Sequence, residues 1–355
     1  MTTLSRRHVP GRVLRNLHDR IRKPHSLSRA GQTPFDVIAE DEIVSLRHYP
    51  PTGPARADRQ PIVIVPPLAV NMLIYDLFPE RSLVAFLRDL GHPLYLIDWG
   101  RPTRQQSDYR LATYLTRFMP AMLNRVRAHS GQQRLTLHGW SIGAMLSYAY
   151  AALGDPDIER LVLVGPPCDY HAKGMQNRRL AAPLKALQNT TGWGVHRSPQ
   201  VLWHVPGWAN ALGFKLMSPG TTLRGYTQLL RRLDDRDFVA AHATNAAFLD
   251  DMVAYPGGVM QDIVQFLVTD NVLAHGRLPI RGCQARLADI RAKVLMVIGD
   301  KDPIITPLAS RRLIELMDHA DCEMIEVPGG HVSIVSGSNA PTEIWPRIAA
   351  WLASD

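Results

Sequence analysis

Short runs of aliphatic and β-branched residues alternate with longer stretches of helical spacing over most of the chain. Residues 61–65 (PIVIV) predict a buried strand, 82–90 a helix, 94–98 (LYLID) a second strand and 112–129 a long amphipathic helix. A strand follows at 134–137, a helix begins near Ile142, and 161–164 (LVLV) is the strand beyond it. From Cys168 to about Ile290 this rhythm stops. It resumes with 294–298 (VLMVI), a helix over about 307–317, a strand at 323–327 and a last helix near 344–352. Continuous apolar runs, as opposed to alternating ones, mark strands covered on both faces, so the pattern predicts an α/β protein with a largely parallel sheet between helices.

The interruption defines the expected organisation. Residues 36–167 and 291–355 form one core, and 168–290 form an inserted helical cap placed before the last two strands. The cap region contains Trp193, Trp203, Trp208, Met217, Met252 and Met260, side chains expected to fill gaps between its helices. Residues 1–35 form a basic arm: Arg6, Arg7, Arg12, Arg15, Arg20, Arg22, Lys23 and Arg29 stand against Asp19 alone. Most of the chain's +8 formal charge therefore sits in the arm, which reads as a solvated tail, with binding to an acidic partner, an anionic surface or nucleic acid as the alternative, and the remaining body is nearly neutral.

Composition narrows the class. With 46% hydrophobic and 20% charged residues, a core is expected without help from disulfides or metals. Cys168, Cys283 and Cys322 are odd in number and lack ligand spacing, which predicts free thiols, no metal site and a cytoplasmic setting. Ser5-Arg6-Arg7 is followed by a stretch broken by arginines, so no export signal is expected. No apolar run of about 18 residues occurs, so no transmembrane helix is expected. Nothing in the pattern points to nucleic acid or to a bound cofactor.

The chemistry enters at Gly139-Trp140-Ser141-Ile142-Gly143, which lies between a predicted strand and a predicted helix. A G-x-S-x-G turn in that setting is a nucleophile elbow: the strained serine backbone brings strand and helix so close that side chains two positions away would collide, and glycine removes the clash. With 25 glycines and 355 residues in all, chance supplies only about 0.08 such matches. The fold expected is therefore that of the α/β hydrolases. Ser141 needs a base to take its proton, and the developing oxyanion needs donors. The Ile142 N–H, opening a helix, is one; the second is expected from the loop after 61–65, near Leu68 or Ala69.

In this fold the partners follow in the order Ser, acid, His, at the carboxyl ends of later strands. His331, in Val327-Pro328-Gly329-Gly330-His331, is the expected base, presented by a glycine turn just past the last predicted strand. Gly299-Asp300-Lys301-Asp302-Pro303 supplies the acid; Asp302 is expected to orient the imidazole, and Asp300 to end the strand or pair with Lys301. His138, three residues before the nucleophile, and Asp98 are read as structural.

These residues carry a resemblance. Val65-Pro66-Pro67-Leu68, Tyr75-Asp76-Leu77, Glu80-Arg81-Ser82-Leu83-Val84, Gly91-His92 and Leu94-Tyr95-Leu96-Ile97-Asp98-Trp99-Gly100 are similar to segments of the polyhydroxyalkanoate synthases, especially the class III catalytic subunit. The similarity runs on through the elbow, Asp302 and Gly329-Gly330-His331, covering roughly 60–170 and 250–352. The resemblance implies transfer of 3-hydroxyacyl groups from coenzyme A thioesters into a polyester, a possible partner subunit and a granule surface. The family uses cysteine at the elbow, where this chain has Ser141, and a histidine after the acid, where it has Pro303.

Three functions remain in play from the sequence: an acyltransferase working through acyl-Ser141 on hydroxyacyl thioesters or esters, a serine ester or thioester hydrolase that releases the same intermediate to water, and a noncatalytic protein that binds a granule or partner. The first two differ only in the acceptor.

Overall fold

The computed structural model describes residues 10–53, 59–175, 178–217 and 219–354. Ser5, Arg6 and Arg7 of the basic arm, and the Met217 side chain, lie outside the described residues. The rest of the arm is more than a tail: Pro10–Arg22 forms helix α1, which docks on the body of the protein.

An antiparallel hairpin opens the sheet, β1 (Asp36–Asp41) and β2 (Val44–Tyr49). It was not evident from sequence because its turn has no glycine or Asn-Gly signal; Glu42 instead takes a φ of 55°, held by hydrogen bonds from Tyr109 and Arg117. β3 (Ile62–Val65), the short pair β4 (Asp76–Phe78) and β5 (Arg81–Ser82), α2 (Leu83–Asp89) and β6 (Leu94–Asp98) follow. Ser82 caps α2 by accepting from the Ala85 N–H at 3.1 Å. α3 (Leu111–Thr113) runs through a π turn into α4 (Met119–Ser130), ended by Gly131 in the left-handed region. Then come β7 (Leu135–Trp140), α5 (Ile142–Ala152) and β8 (Ile158–Val164).

Between β8 and β9 the chain is helical apart from loops: α6 (Arg178–Thr191), α7 (Gly207–Met217), α8 (Pro219–Arg231), α9 (Arg236–Asp250) and α10 (Gly257–Asp262). Met252 here is buried, but Trp208 is 71% exposed, so the Trp and Met side chains of this region are not all core as expected. β9 (Lys293–Gly299), α11 (Pro307–Arg311), β10 (Cys322–Val327), α12 (Ser333–Ser336) and α13 (Trp345–Leu352) complete the chain. α11 stops at Arg311 and continues only as a single 3-10 turn, short of the expected helix to 317.

The eight-stranded sheet has the order β1-β2-β6-β3-β7-β8-β9-β10, parallel from β6 onward. Alternate residues serve two cores. Val63, Tyr95, Leu137 and Leu161 pack against α4 and α5, while Ile64, Leu96, Val162 and Leu295 pack against α2 and α13. β7 lies between β3 and β8, and β9 joins β8 although the helical segment separates them in sequence. The carboxyl ends of β3, β7, β8, β9 and β10 therefore gather along one edge, where an open α/β sheet offers a binding crevice.

Candidate active site

Ser141 sits between β7 and α5 with φ 55° and ψ −124°, a backbone conformation that costs a non-glycine residue about 1–3 kcal/mol. The surroundings enforce it. A Cβ on Gly139 would come within 2.5 Å of Ala144 Cα, and one on Gly143 within 2.0 Å of the Val65 carbonyl oxygen. The Ser141 N–H donates to the Val164 carbonyl at 2.9 Å, tying the turn to β8, and the Ser141 carbonyl accepts from Met145 N–H at 3.0 Å.

Gly143 thus brings the start of α5 against the end of β3. The loop beyond β3 is fixed from two sides: Trp99 Nε1 donates to the Pro66 carbonyl at 2.8 Å, and Val253 N–H to the Ala69 carbonyl at 3.0 Å. Leu68 and Ala69 are buried in this loop, beside the helix opened by Ile142.

On the other side, His331 and Asp302 meet. Asp302 Oδ2 accepts from His331 Nδ1 at 2.7 Å, and Oδ1 accepts from the N–H groups of Ile304 and Ile305 at 2.8 and 2.9 Å. Both side chains are buried. An ionised carboxylate only accepts, so in this hydrogen bond the proton sits on His331 Nδ1. Asp300 does a different job: its carboxylate accepts from Gly329 N–H at 2.8 Å and braces the glycine turn that presents His331. Asp98 is bound to Arg47 and to the Gly100 N–H, away from the dyad.

Serine and imidazole converge on the end of β8. Ser141 is bonded to Val164, and a Cβ on the next residue, Gly165, would stand 3.3 Å from His331 Cε1. Trp140 bridges them: its Nε1 donates to the His331 carbonyl at 3.1 Å and its ring lies 5.3 Å from the imidazole. Among the described residues Ser141 Oγ makes no hydrogen bond to His331, whose Nδ1 is bonded to Asp302. Trp140 and Gly165 were not singled out from sequence; the signal for Trp140 was a buried indole whose N–H must find an acceptor. His138 lies in β7 with both ring nitrogens unpartnered, and complete burial pushes its pKa down to about 4.

A cavity of about 770 Å³ reaches from this dyad into the helical segment, walled by His331, Pro303 and Ile304 on one side and by Phe214, Tyr226, Phe238 and Leu249 on the other. Among the described residues no group of three or more His, Cys, Asp or Glu side chains is arranged to hold a metal.

Comparison with known proteins adds the relationship. Residues 60–191 match the alpha/beta hydrolase fold model, 28–87 the model of the poly-beta-hydroxybutyrate polymerase (PhaC) N-terminus, and 269–333 a serine hydrolase (FSH1) model. The poly(3-hydroxyalkanoate) polymerase subunit PhaC of Haloferax mediterranei is 28% identical over 91% of this chain and 64% of its own length. That of Allochromatium vinosum is 26% identical over 89% of this chain and 87% of its own. Over about nine tenths of its length the chain is similar to these PhaC subunits, and it has the α/β-hydrolase fold. A soluble variant of monoglyceride lipase from Saccharomyces cerevisiae shares the fold at 16% identity and a TM-score of 0.59, covering 91% of this chain and 95% of that one. The chain spans somewhat under two thirds of the Haloferax PhaC, 64%. The matched segments divide the candidate site: the PhaC N-terminal model includes the loop with Leu68, the fold model includes Ser141, and the serine hydrolase model includes Asp302 and His331.

Proposed function

We propose that the protein is a polyhydroxyalkanoate synthase-like acyltransferase that carries hydroxyacyl groups as an ester on Ser141. The observation that carries the proposal is the buried His331–Asp302 hydrogen bond at the same end of the sheet as a strained serine elbow, in a chain similar to PhaC polymerases. His331 Nε2 takes the Ser141 Oγ proton as the oxygen attacks the acyl carbon of a thioester. The oxyanion is held by the Ile142 N–H, at the positive end of α5, and by an N–H of the Leu68 loop. Collapse expels the thiolate of the carrier, which recovers the proton from the imidazolium. An acceptor hydroxyl then attacks the acyl-Ser141 ester, giving its proton to His331; the acyl–Oγ bond breaks and Ser141 Oγ recovers the proton from the imidazolium, which Asp302 stabilises in each half-reaction.

In this reading residues 168–290 are the lid, residues 36–167 and 291–355 the catalytic core, and the apolar cavity holds the acyl chain while excluding water. A hydroxyacyl-coenzyme A is the donor, a polyester end the acceptor, and the enzyme works in the cytoplasm at a granule surface, with or without a partner subunit.

A hydrolase is the second reading. It is favoured by the serine at the elbow, which forms a plain oxyester, and by the serine hydrolase match over the segment with Asp302 and His331. Incubation with 3-hydroxybutyryl-coenzyme A separates the two: thiol release with oligomer formation supports transfer, and thiol release with free acid alone supports hydrolysis. Absence of thiol release, with turnover of simple aryl esters, would overturn the thioester assignment.

A further inference from the structure

Two neighbouring helices carry the same outward face. In α1, Leu14 and Ile21 stand seven residues apart, two turns along one side, and are 67% and 66% exposed. Arg15 and Arg22 repeat that spacing one residue further on, so a cationic row runs beside the apolar one. In α8 the arrangement recurs: Leu223 and Leu230, each 67% exposed, lie beside exposed Arg224 and Arg231. Among the described residues none of these four arginines pairs with a carboxylate, whereas the adjacent Arg232 and Arg236 are paired with Asp235 and Asp19.

The opposite faces of both helices are anchored. Val13 and Leu17 of α1 pack with Leu229 of α8, with Leu233 in the turn just beyond it, and with Val239 and Ala243 of α9. Asn16 Nδ2 donates to the Leu233 carbonyl at 2.7 Å from a buried position. α1 and α8 therefore both rest on α9 through one shared apolar cluster, and their leucine and arginine rows are exposed. α7, which also packs on α8 and α9, adds Trp208 and Leu216, 71% and 64% exposed.

We propose that this face docks the protein on an anionic lipid surface. The leucines, Ile21 and Trp208 enter the headgroup region while the arginines meet lipid phosphates. The charge pattern selects this occupant. A second copy docking through the same face would set arginine rows against arginine rows, and a neutral polymer surface would leave the arginines unpaired; an anionic bilayer satisfies both rows at once. No described helix is long and apolar enough to cross a membrane, so the face lies on the surface. Tyr226 of α8 also lines the cavity that reaches His331, which places α8 along the wall of that cavity.

The test is co-sedimentation of the full chain with vesicles of phosphatidylglycerol and phosphatidylcholine in equal parts, and with phosphatidylcholine alone. Binding is expected to the anionic vesicles only, and to weaken as sodium chloride is raised. Arg15→Gln with Arg22→Gln should weaken it about 30-fold, from roughly 1 kcal/mol per arginine near such a surface. Leu14→Ser with Leu230→Ser should weaken it at least about tenfold, with an unchanged melting temperature because both side chains are exposed. Failure to sediment, equal binding to both vesicles, or wild-type binding by the arginine variant would overturn the proposal. So would leucine variants that lose self-association, or capture by polyester particles, when no anionic vesicle is bound.

Discussion

Replacing His138 by leucine removes a buried base that the fold holds neutral. Burial lowers its pKa from the ordinary 6.5 to about 4, with neither ring nitrogen hydrogen-bonded. As pH falls, the unfolded chain takes up this proton near 6.5, while the folded chain resists until about 4. Stability is thus fully present above about 6.5 and is lost progressively between 6.5 and 4. A pKa lowered from 6.5 to about 4 corresponds to roughly 3 kcal/mol, most of which should be lost by pH 4.5. His138→Leu, close in size and free of unpaired nitrogens, should abolish this component. Urea unfolding of both proteins from pH 7.5 to 4.5 is the assay: the variant should gain about 2–3 kcal/mol on the wild type across that range. At pH 7.5 it should still form an acyl-enzyme at a rate within about threefold of wild type, because the base is His331. Parallel stability profiles would refute the burial argument, and loss of acylation would exchange the roles of the two histidines.

Other outcomes follow from the same geometry. Asp302→Asn should cut turnover about 10⁴-fold by presenting the wrong imidazole tautomer, with Asp300→Asn costing under about tenfold; steady-state rates on one thioester decide, and equal losses would contradict the assignment. Gly143→Ala places a methyl 2.0 Å from the Val65 oxygen and should destabilise by several kcal/mol, read as a collapsed unfolding midpoint. Trp140→Phe deletes the hydrogen bond to the His331 carbonyl and should lower kcat several-fold, about 1 kcal/mol, with KM little changed; an unaltered kcat would deny Trp140 a positioning role.

The sheet was legible because its strands are continuous apolar runs, which only burial on both faces explains, and the elbow because its glycines are forced by contacts of 2.0–2.5 Å. What escaped sequence reading depended on long-range partners. The β1–β2 hairpin turns at Glu42 in place of glycine, stabilised by Tyr109 and Arg117 far along the chain. The basic arm was expected to be solvated, yet α1 is held by Leu229, Leu233 and Arg236, residues whose proximity no local pattern reveals. The approach of His331 to the elbow likewise rests on Trp140 and Gly165, which look unremarkable in isolation.

The most direct test is to trap the intermediate. The protein is mixed with 3-hydroxybutyryl-coenzyme A, quenched in acid and digested, and the peptide spanning the elbow is weighed. A hydroxybutyryl mass increment on Ser141, absent from Ser141→Ala and from His331→Ala, is the predicted result. An increment on another residue, or undiminished turnover in Ser141→Ala, would contradict the account.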